Sequence, residues 1–158
     1  LSLPFKRLRY SDLIEKLQES GESIEWGDDM SQQKLRNLND DDMKHFYFII
    51  DWPTSIKPFY VKPKSMGTEC ESFDLMYGNL ELSSGGTRIH DKSELTERMK
   101  KQGLNTGAFD FHLKVFDYGM PPHAGFGMGL ERLLMSMCGV DNIRDVVLFP
   151  RDIDRLSP

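Results

Sequence analysis

The chain has little cysteine: Cys70 and Cys138 only, far apart and in no CxxC pair. That spacing argues against a disulfide framework or a zinc site and implies reduced, structural thiols in a cytoplasmic protein. No apolar run approaches the ~18 residues of a membrane span and no secretory leader pattern is visible, so no membrane partner is expected. Positive charge is not in surplus either, with 20 Lys and Arg against 25 Asp and Glu and a net charge of -5. This argues against indiscriminate nucleic-acid binding through a basic surface and leaves room for a local basic patch. Repeats, low-complexity tracts and a Gly-Lys-Ser/Thr P-loop are all missing. What is present is 158 residues, 39% hydrophobic and 28% charged, enough for one domain with a sizeable core. The chain begins at Leu1 rather than Met, which raises the expectation that it is a piece of a longer protein.

Periodicity sets the expected elements. Tyr10 to Ser20 spaces Leu13, Ile14 and Leu17 for a helix, with Ser11 as N-cap and Gly21 as stop. Glu22 to Asp42 is polar, carries only a weak helical pattern near Gln33 to Leu38, and reads as a surface excursion. His45 to Trp52 reads as a buried strand ended by Pro53, and Phe59 to Lys62 as a second strand. Glu71 to Tyr77 alternates, Gly78-Asn79 turns, and Leu80 to Ser84 returns. Strands joined by short turns favour antiparallel pairing. Helices are expected at Ser93 to Gln102, closed by Gly103, and at Phe109 to Asp117. After the irregular GMPPH turn come a short glycine-rich strand and a helix, Leu130 to Cys138, with Leu130, Leu133, Leu134, Met137 and Cys138 on one face.

The stretch GFGMGLERLLM, Gly125 to Met135, concentrates the chemistry. Every second residue of a strand faces the same side, so Gly125, Gly127 and Gly129 present one bare face. The dinucleotide fingerprint fails, because Leu130 stands where its third glycine belongs. Taken alone, the pattern reads as a glycine strand packed under a helix, with Glu131 and Arg132 as a solvated ion pair. The context adds to it. A G-x-G-x-G strand leading to Glu and Arg at the first turn of a helix resembles motif 3 of class II aminoacyl-tRNA synthetases.

A second string, NLELSSGGTRIHD from Asn79 to Asp91, resembles the E-[IL]-x-S-G-x-Q-R-I-H-D segment of aspartyl- and asparaginyl-tRNA synthetases of the archaeal and eukaryotic kind. PFKRLRYSDLIE, FYFIIDWPTSIKPFY, GMPPHAGFGMGLERL and DNIRDVVLFPRDIDRLSP resemble further segments of the same family, so the likeness covers almost the whole chain. It implies an α+β fold, an antiparallel sheet flanked by helices, and ATP-dependent activation of aspartate followed by transfer to tRNA. ATP and Mg²⁺ are the implied cofactors.

By the resemblance, Glu81, Gly129, Leu130, Glu131 and Arg132 bind ATP, the glycines clearing a floor for adenine while the arginine stacks over it and meets a phosphate. Glu81 and Ser84 hold the metal, a donor set that suits Mg²⁺. They are three apart, so an ideal strand sends them to opposite faces and a bulge or strand end must reunite them. Ser84 and Arg88 contact the amino acid, Arg88 with a two-pronged grip on a carboxylate; taken alone, it reads as a structural salt bridge to Asp91 or a neighbour. Lys57, in the K-P-F-Y form that looks more aspartyl than asparaginyl, is a second cation for the substrate side chain or an ordinary strand-end lysine. His90 and His123 read as structural. Thr87 departs from the family's Gln.

The implied partners are tRNA for Asp, with tRNA for Asn left open, aspartate itself, and a second subunit in a full-length homodimer. The anticodon-binding domain and motifs 1 and 2 are missing, with no F-R-x-E string before Pro4. Residues 1–158 are therefore expected to be the carboxyl-terminal portion of a catalytic domain, inactive alone. Rival readings are asparagine activation, a paralogue that does not charge tRNA, and a scaffold that keeps only the fold.

Overall fold

The computed structural model describes residues 3–36, 38 and 41–154. Five strands form one sheet in sequential order: β1 Lys6–Arg9, β2 Phe46–Ile50, β3 Ser72–Tyr77, β4 Leu80–Thr87 and β5 Ala124–Met128. The last three pairings are antiparallel, as the short turns imply, whereas β1 runs parallel to β2. The sheet is thus mixed and flanked by helices, and the all-antiparallel expectation is corrected at its edge. A parallel partner arrives through a long connection and leaves no local signal.

The helices are α1 Tyr10–Glu19, α2 Gln32–Arg36, α3 Lys92–Lys101, α4 Asp110–Val115 and α5 Leu130–Cys138. Helix α1 follows β1 directly, so Arg9 takes the N-cap position expected of Ser11. Gly21, at φ 91°, stops it through the left-handed region that glycine tolerates. Asp91 caps α3 by accepting from the Glu94 N–H at 2.9 Å. The helix expected over Phe109 to Asp117 is shorter: α4 is flanked by 3₁₀ turns at Thr106–Phe109 and Phe116–Tyr118.

One face of the sheet lies under α1. Tyr10, Leu13 and Leu17 are fully buried with Tyr47, Ile49 and Cys70 in the main core. Ile24, Met30 and Leu35 join that core, so the segment read as a surface excursion is in fact a lid over the sheet. The Tyr10 hydroxyl ties it down, donating to the Asp28 carbonyl at 2.7 Å and accepting from the Gly27 N–H at 3.1 Å. A second core gathers Ile89, Leu95, Met99 and Leu113.

Two further expectations fail. Phe59 to Lys62 is no strand, because Val61 makes only an isolated bridge to Arg88 between Pro58 and Pro63. Helix α5 keeps its apolar stripe yet buries none of it: Leu130 is 61% and Met137 73% exposed. Cys138 is likewise exposed, so of the two free thiols only Cys70 is structural. Pro158, the terminal residue that took part in the sequence likeness, lies outside the described residues.

Candidate active site

Strand β4 carries the irregularity on which the site depends. Leu75 pairs with Ser83 and Met76 with Glu81, leaving Leu82 as a bulge. Met76 and Asp74 lie two apart on β3 and share a face, and their partners are Glu81 and Ser84. The bulge therefore returns Glu81 and Ser84 to one side, as the sequence spacing required. Two bonds reach the bulge from the next segment. The Gly129 N–H donates to the Leu82 carbonyl at 2.9 Å, and Arg132 Nη1 to the Glu81 carbonyl at 2.9 Å.

Register defines a row across this face: Ile49 opposite Asp74, Asp74 opposite Ser84, Ser84 opposite Gly127. It runs from hydrocarbon through carboxylate and hydroxyl to bare backbone. At the bare end lies a cavity of about 290 Å³ whose walls include Lys57, Tyr60, Glu81, Ser84, Arg88, Gly127 and Arg132. A smaller one of about 240 Å³ adjoins it, sharing Lys57, Glu81 and Arg132 and adding Asp29, Trp52 and Asp74.

The three glycines are not equivalent. A Cβ on Gly125 would sit 3.4 Å from Arg88 Nη2, and one on Gly129 would sit 3.3 Å from Arg132 Cδ, whereas one on Gly127 would meet nothing within 4 Å. Two guanidinium-bearing side chains thus lie over the ends of the ribbon and leave its middle open. Arg88 is held by Gly125, whose carbonyl accepts from Nη2 at 3.2 Å, and by the Tyr60 ring, 4.5 Å from Cζ. Among the described residues it has no carboxylate partner, and Asp91, the salt-bridge candidate, is occupied in capping α3. Between the arginines the geometry offers a planar slot with a cation at each end, suited to a flat ring bearing anionic groups.

The acidic side of the site is short of countercharge. Burial pushes the Glu81 carboxyl above its ordinary range; nearby Asp74 raises it further, and Lys57 and Arg132 pull it back. Asp74 is 4% exposed and its Oδ1 has no hydrogen-bond partner, while Oδ2 accepts from Lys57 Nζ at 2.7 Å. The same ammonium stands 3.9 Å from the centre of the Trp52 ring. Lys57 is therefore more engaged than a strand-end lysine. Gln102 also grips its carbonyl at 3.0 Å, and Arg98 the Thr54 carbonyl at 2.9 Å, so α3 fixes this turn.

Asp74 is the site residue that the sequence reading missed. In an alternating strand an aspartate looks like a solvent-facing position; the signal available was that Asp74 and Glu81 flank one hairpin. Among the described residues no three His, Cys, Asp or Glu side chains form a metal cluster, so a divalent ion would need hydroxyl, water or ligand oxygens as well. The His123 ring turns back on its own turn, its Nδ1 lying 2.9 Å from the Pro121 carbonyl oxygen, while its carbonyl accepts from the Arg88 N–H at 2.9 Å.

The raised carboxyl predicts a stability effect. A protonated Glu81 suits the buried site, so the wild-type chain loses stability as pH climbs from the ordinary glutamate range through the raised value, and is level above it. Glu81→Gln is already neutral. Without metal it is expected to match wild type at low pH and to melt ~2 °C higher at neutral pH, a gain of under ~1 kcal/mol. Melting curves across that pH range check the sign.

A family model described as tRNA synthetases class II (D, K and N) matches residues 1–153. The chain belongs to that family. It is 50% identical over 159 residues to an aspartate–tRNA(Asp/Asn) ligase of Sulfurisphaera tokodaii, covering 100% of this chain and 37% of that ligase. The chain therefore spans a little over a third of the length of such relatives. Its fold superposes on an aspartyl-tRNA synthetase from Entamoeba histolytica with a TM-score of 0.91 at 38% identity, over 99% of this chain and 33% of that one. An asparaginyl-tRNA synthetase from Pyrococcus horikoshii complexed with asparaginyl-adenylate gives 0.89 at 33% identity, over 99% of this chain and 37% of that one. The mixed sheet with its flanking helices is thus the class II synthetase architecture.

Proposed function

We propose that this chain is the carboxyl-terminal portion of the catalytic domain of an aspartate–tRNA ligase, and that its cleft binds ATP, Mg²⁺ and aspartate. One observation carries the reading: Arg88 and Arg132 lie over the two ends of a glycine ribbon whose middle, Gly127, is open. Adenine rests on that ribbon. Arg132 stacks and meets a phosphate, and Gly129, Leu130 and Glu131 shape the strand-to-helix turn that presents it. Arg88 receives a carboxylate of the amino acid, with Ser84 beside it.

The donor set fits a hard divalent ion: a desolvated Glu81, the Ser84 hydroxyl and the unpartnered Oδ1 of Asp74. Those three residues would hold Mg²⁺, which supplies charge neutralisation at the phosphates. In the reaction an aspartate oxygen attacks the α-phosphorus of ATP and pyrophosphate leaves; a hydroxyl of the tRNA 3' end then attacks the aspartyl carbonyl and AMP leaves. The residues of this chain position and neutralise, and none acts as a nucleophile. The α-phosphate arginine of the family's second motif is not among these 158 residues, so the chain alone binds without activating.

Asparagine activation is the second reading, favoured by the ion pair that already engages Lys57 and weakens its pull on a second carboxylate. ATP–pyrophosphate exchange in a full-length parent is expected with aspartate and not asparagine, and none is expected from the 158-residue chain. Exchange with asparagine alone would reverse the assignment, and exchange by the isolated chain would defeat the account of what it lacks.

A further inference from the structure

The cation nearest the acidic wall of the site is the protein's own. Lys57 Nζ lies 2.7 Å from Asp74 Oδ2, with the two side chains 15% and 5% exposed. Its position is built from three sides: the Trp52 ring beneath the ammonium at 3.9 Å, the Gln102 amide on the Lys57 carbonyl at 3.0 Å, and Asp74 in front. Lys57, Asp74 and Glu81 all face the smaller cavity, where Asp74 Oδ1 remains without a partner. A divalent ion entering there finds one Asp74 oxygen taken by an ammonium whose charge also acts on Glu81 across the cavity.

We propose that Lys57 is a built-in counter-ion that keeps the Asp74–Glu81 wall from binding free divalent metal, so that metal enters together with the anionic nucleotide. This rests on the reading of the cleft as a metal–nucleotide site and adds a rule for how it loads. The reason is charge. With Lys57 and Arg132 on its walls, the smaller cavity sets two cations against Asp29, Asp74 and Glu81. A bare ion gains little there, whereas a nucleotide brings phosphate oxygens that complete the metal's shell and outweigh the ammonium. Without the ammonium a single cation, Arg132, faces the three carboxylates and the wall becomes more strongly acidic. The hydrogen bond from Lys57 also fixes which Asp74 oxygen stays unpaired, so the residue orients the ligand that it guards.

The test is Mn²⁺ binding to the 158-residue chain without nucleotide, followed by the electron paramagnetic resonance signal of free Mn²⁺. Lys57→Gln removes the charge and keeps a hydrogen-bond donor for Asp74. It is expected to bind Mn²⁺ about tenfold more tightly than wild type, and Lys57→Arg to bind like wild type. Lys57→Met, which leaves Asp74 buried without a donor, serves as the second uncharged variant, its folding checked by circular dichroism. Added ATP is expected to narrow the gap between Lys57→Gln and wild type. If Glu81→Gln abolishes binding while Lys57→Gln leaves the affinity unchanged or weaker, the metal site stands and the proposal falls. If Mn²⁺ binding is indifferent to Glu81→Gln, the metal reading fails and the proposal with it. Equal tightening by Lys57→Arg and Lys57→Gln would put the effect in packing rather than charge, and would also overturn it.

Discussion

Gly127→Leu is expected to fold like the wild-type chain and to lose adenine-nucleotide affinity by about 100-fold or more, the scale of a polar ligand expelled from a filled pocket. The backbone has room for the change: a Cβ there meets nothing within 4 Å, and Gly127 sits in extended strand β5 without a positive φ. The added isobutyl group points into the cavity between Arg88 and Arg132, the slot proposed for the base. The melting temperature is therefore expected to stay within ~2 °C of wild type. Equilibrium dialysis with labelled ATP reads the affinity and calorimetry the stability. Gly127→Ala, which intrudes by one methyl, is the graded control with a several-fold smaller loss. Unchanged nucleotide binding in Gly127→Leu would count against the proposed floor and favour the scaffold alternative, for which this glycine has no function.

Gly86→Ala is expected to do the opposite and damage the fold first. Its Cβ would lie 2.5 Å from the Glu71 carbonyl oxygen and 3.1 Å from Ser72 Cα, both backbone atoms of the neighbouring segment. That segment cannot withdraw cheaply. Ser72 is in register with Gly86, and the Thr87 N–H donates to the same Glu71 carbonyl at 2.9 Å. Separating the strands breaks ladder bonds at the end of β4 that supports Arg88, so a loss of about 2–4 kcal/mol is expected. For a chain of this size that lowers the melting temperature by ~5–15 °C. Gly85→Ala meets a comparable obstruction from Phe126 Cβ at 2.5 Å and the Gly125 carbonyl at 2.7 Å. Urea unfolding of Gly86→Ala with a midpoint equal to wild type would show that β3 and β4 are less tightly apposed than their register implies. The pair Gly86 and Gly127 thus separates glycines needed because backbones approach closely from glycines needed because something else must.

Much of this was legible along the chain. The apolar spacing of Leu13, Ile14 and Leu17, the Gly103 stop after the helix expected at Ser93 to Gln102, and the alternation from Glu71 to Tyr77 all act within a few residues, and the elements they predict are present. Other features were illegible for equally physical reasons. Strand β1 is KRLR, four residues whose charges disguise it and whose partner lies some forty residues away. Ile24, Met30 and Leu35 are scattered among polar residues, and only the Tyr10 hydroxyl and the sheet behind it make them core. Asp74 is buried because a lysine reaches it from a turn that is distant in sequence, a pairing that no local pattern records.

Local chemistry by itself determined the inventory: a side-chain-free ribbon, an arginine at each of positions 88 and 132, a carboxylate and a hydroxyl at 81 and 84, and the helices around them. Whether those groups could ever meet was decided by tertiary structure. On a regular strand, Glu81 and Ser84 point away from each other. Only the extra residue at Leu82, imposed by pairing with β3 and held by Gly129 and Arg132, turns both toward the same cavity. Spacing is a property of one strand, but a face is shared between strands, and a bulge exists only against a partner.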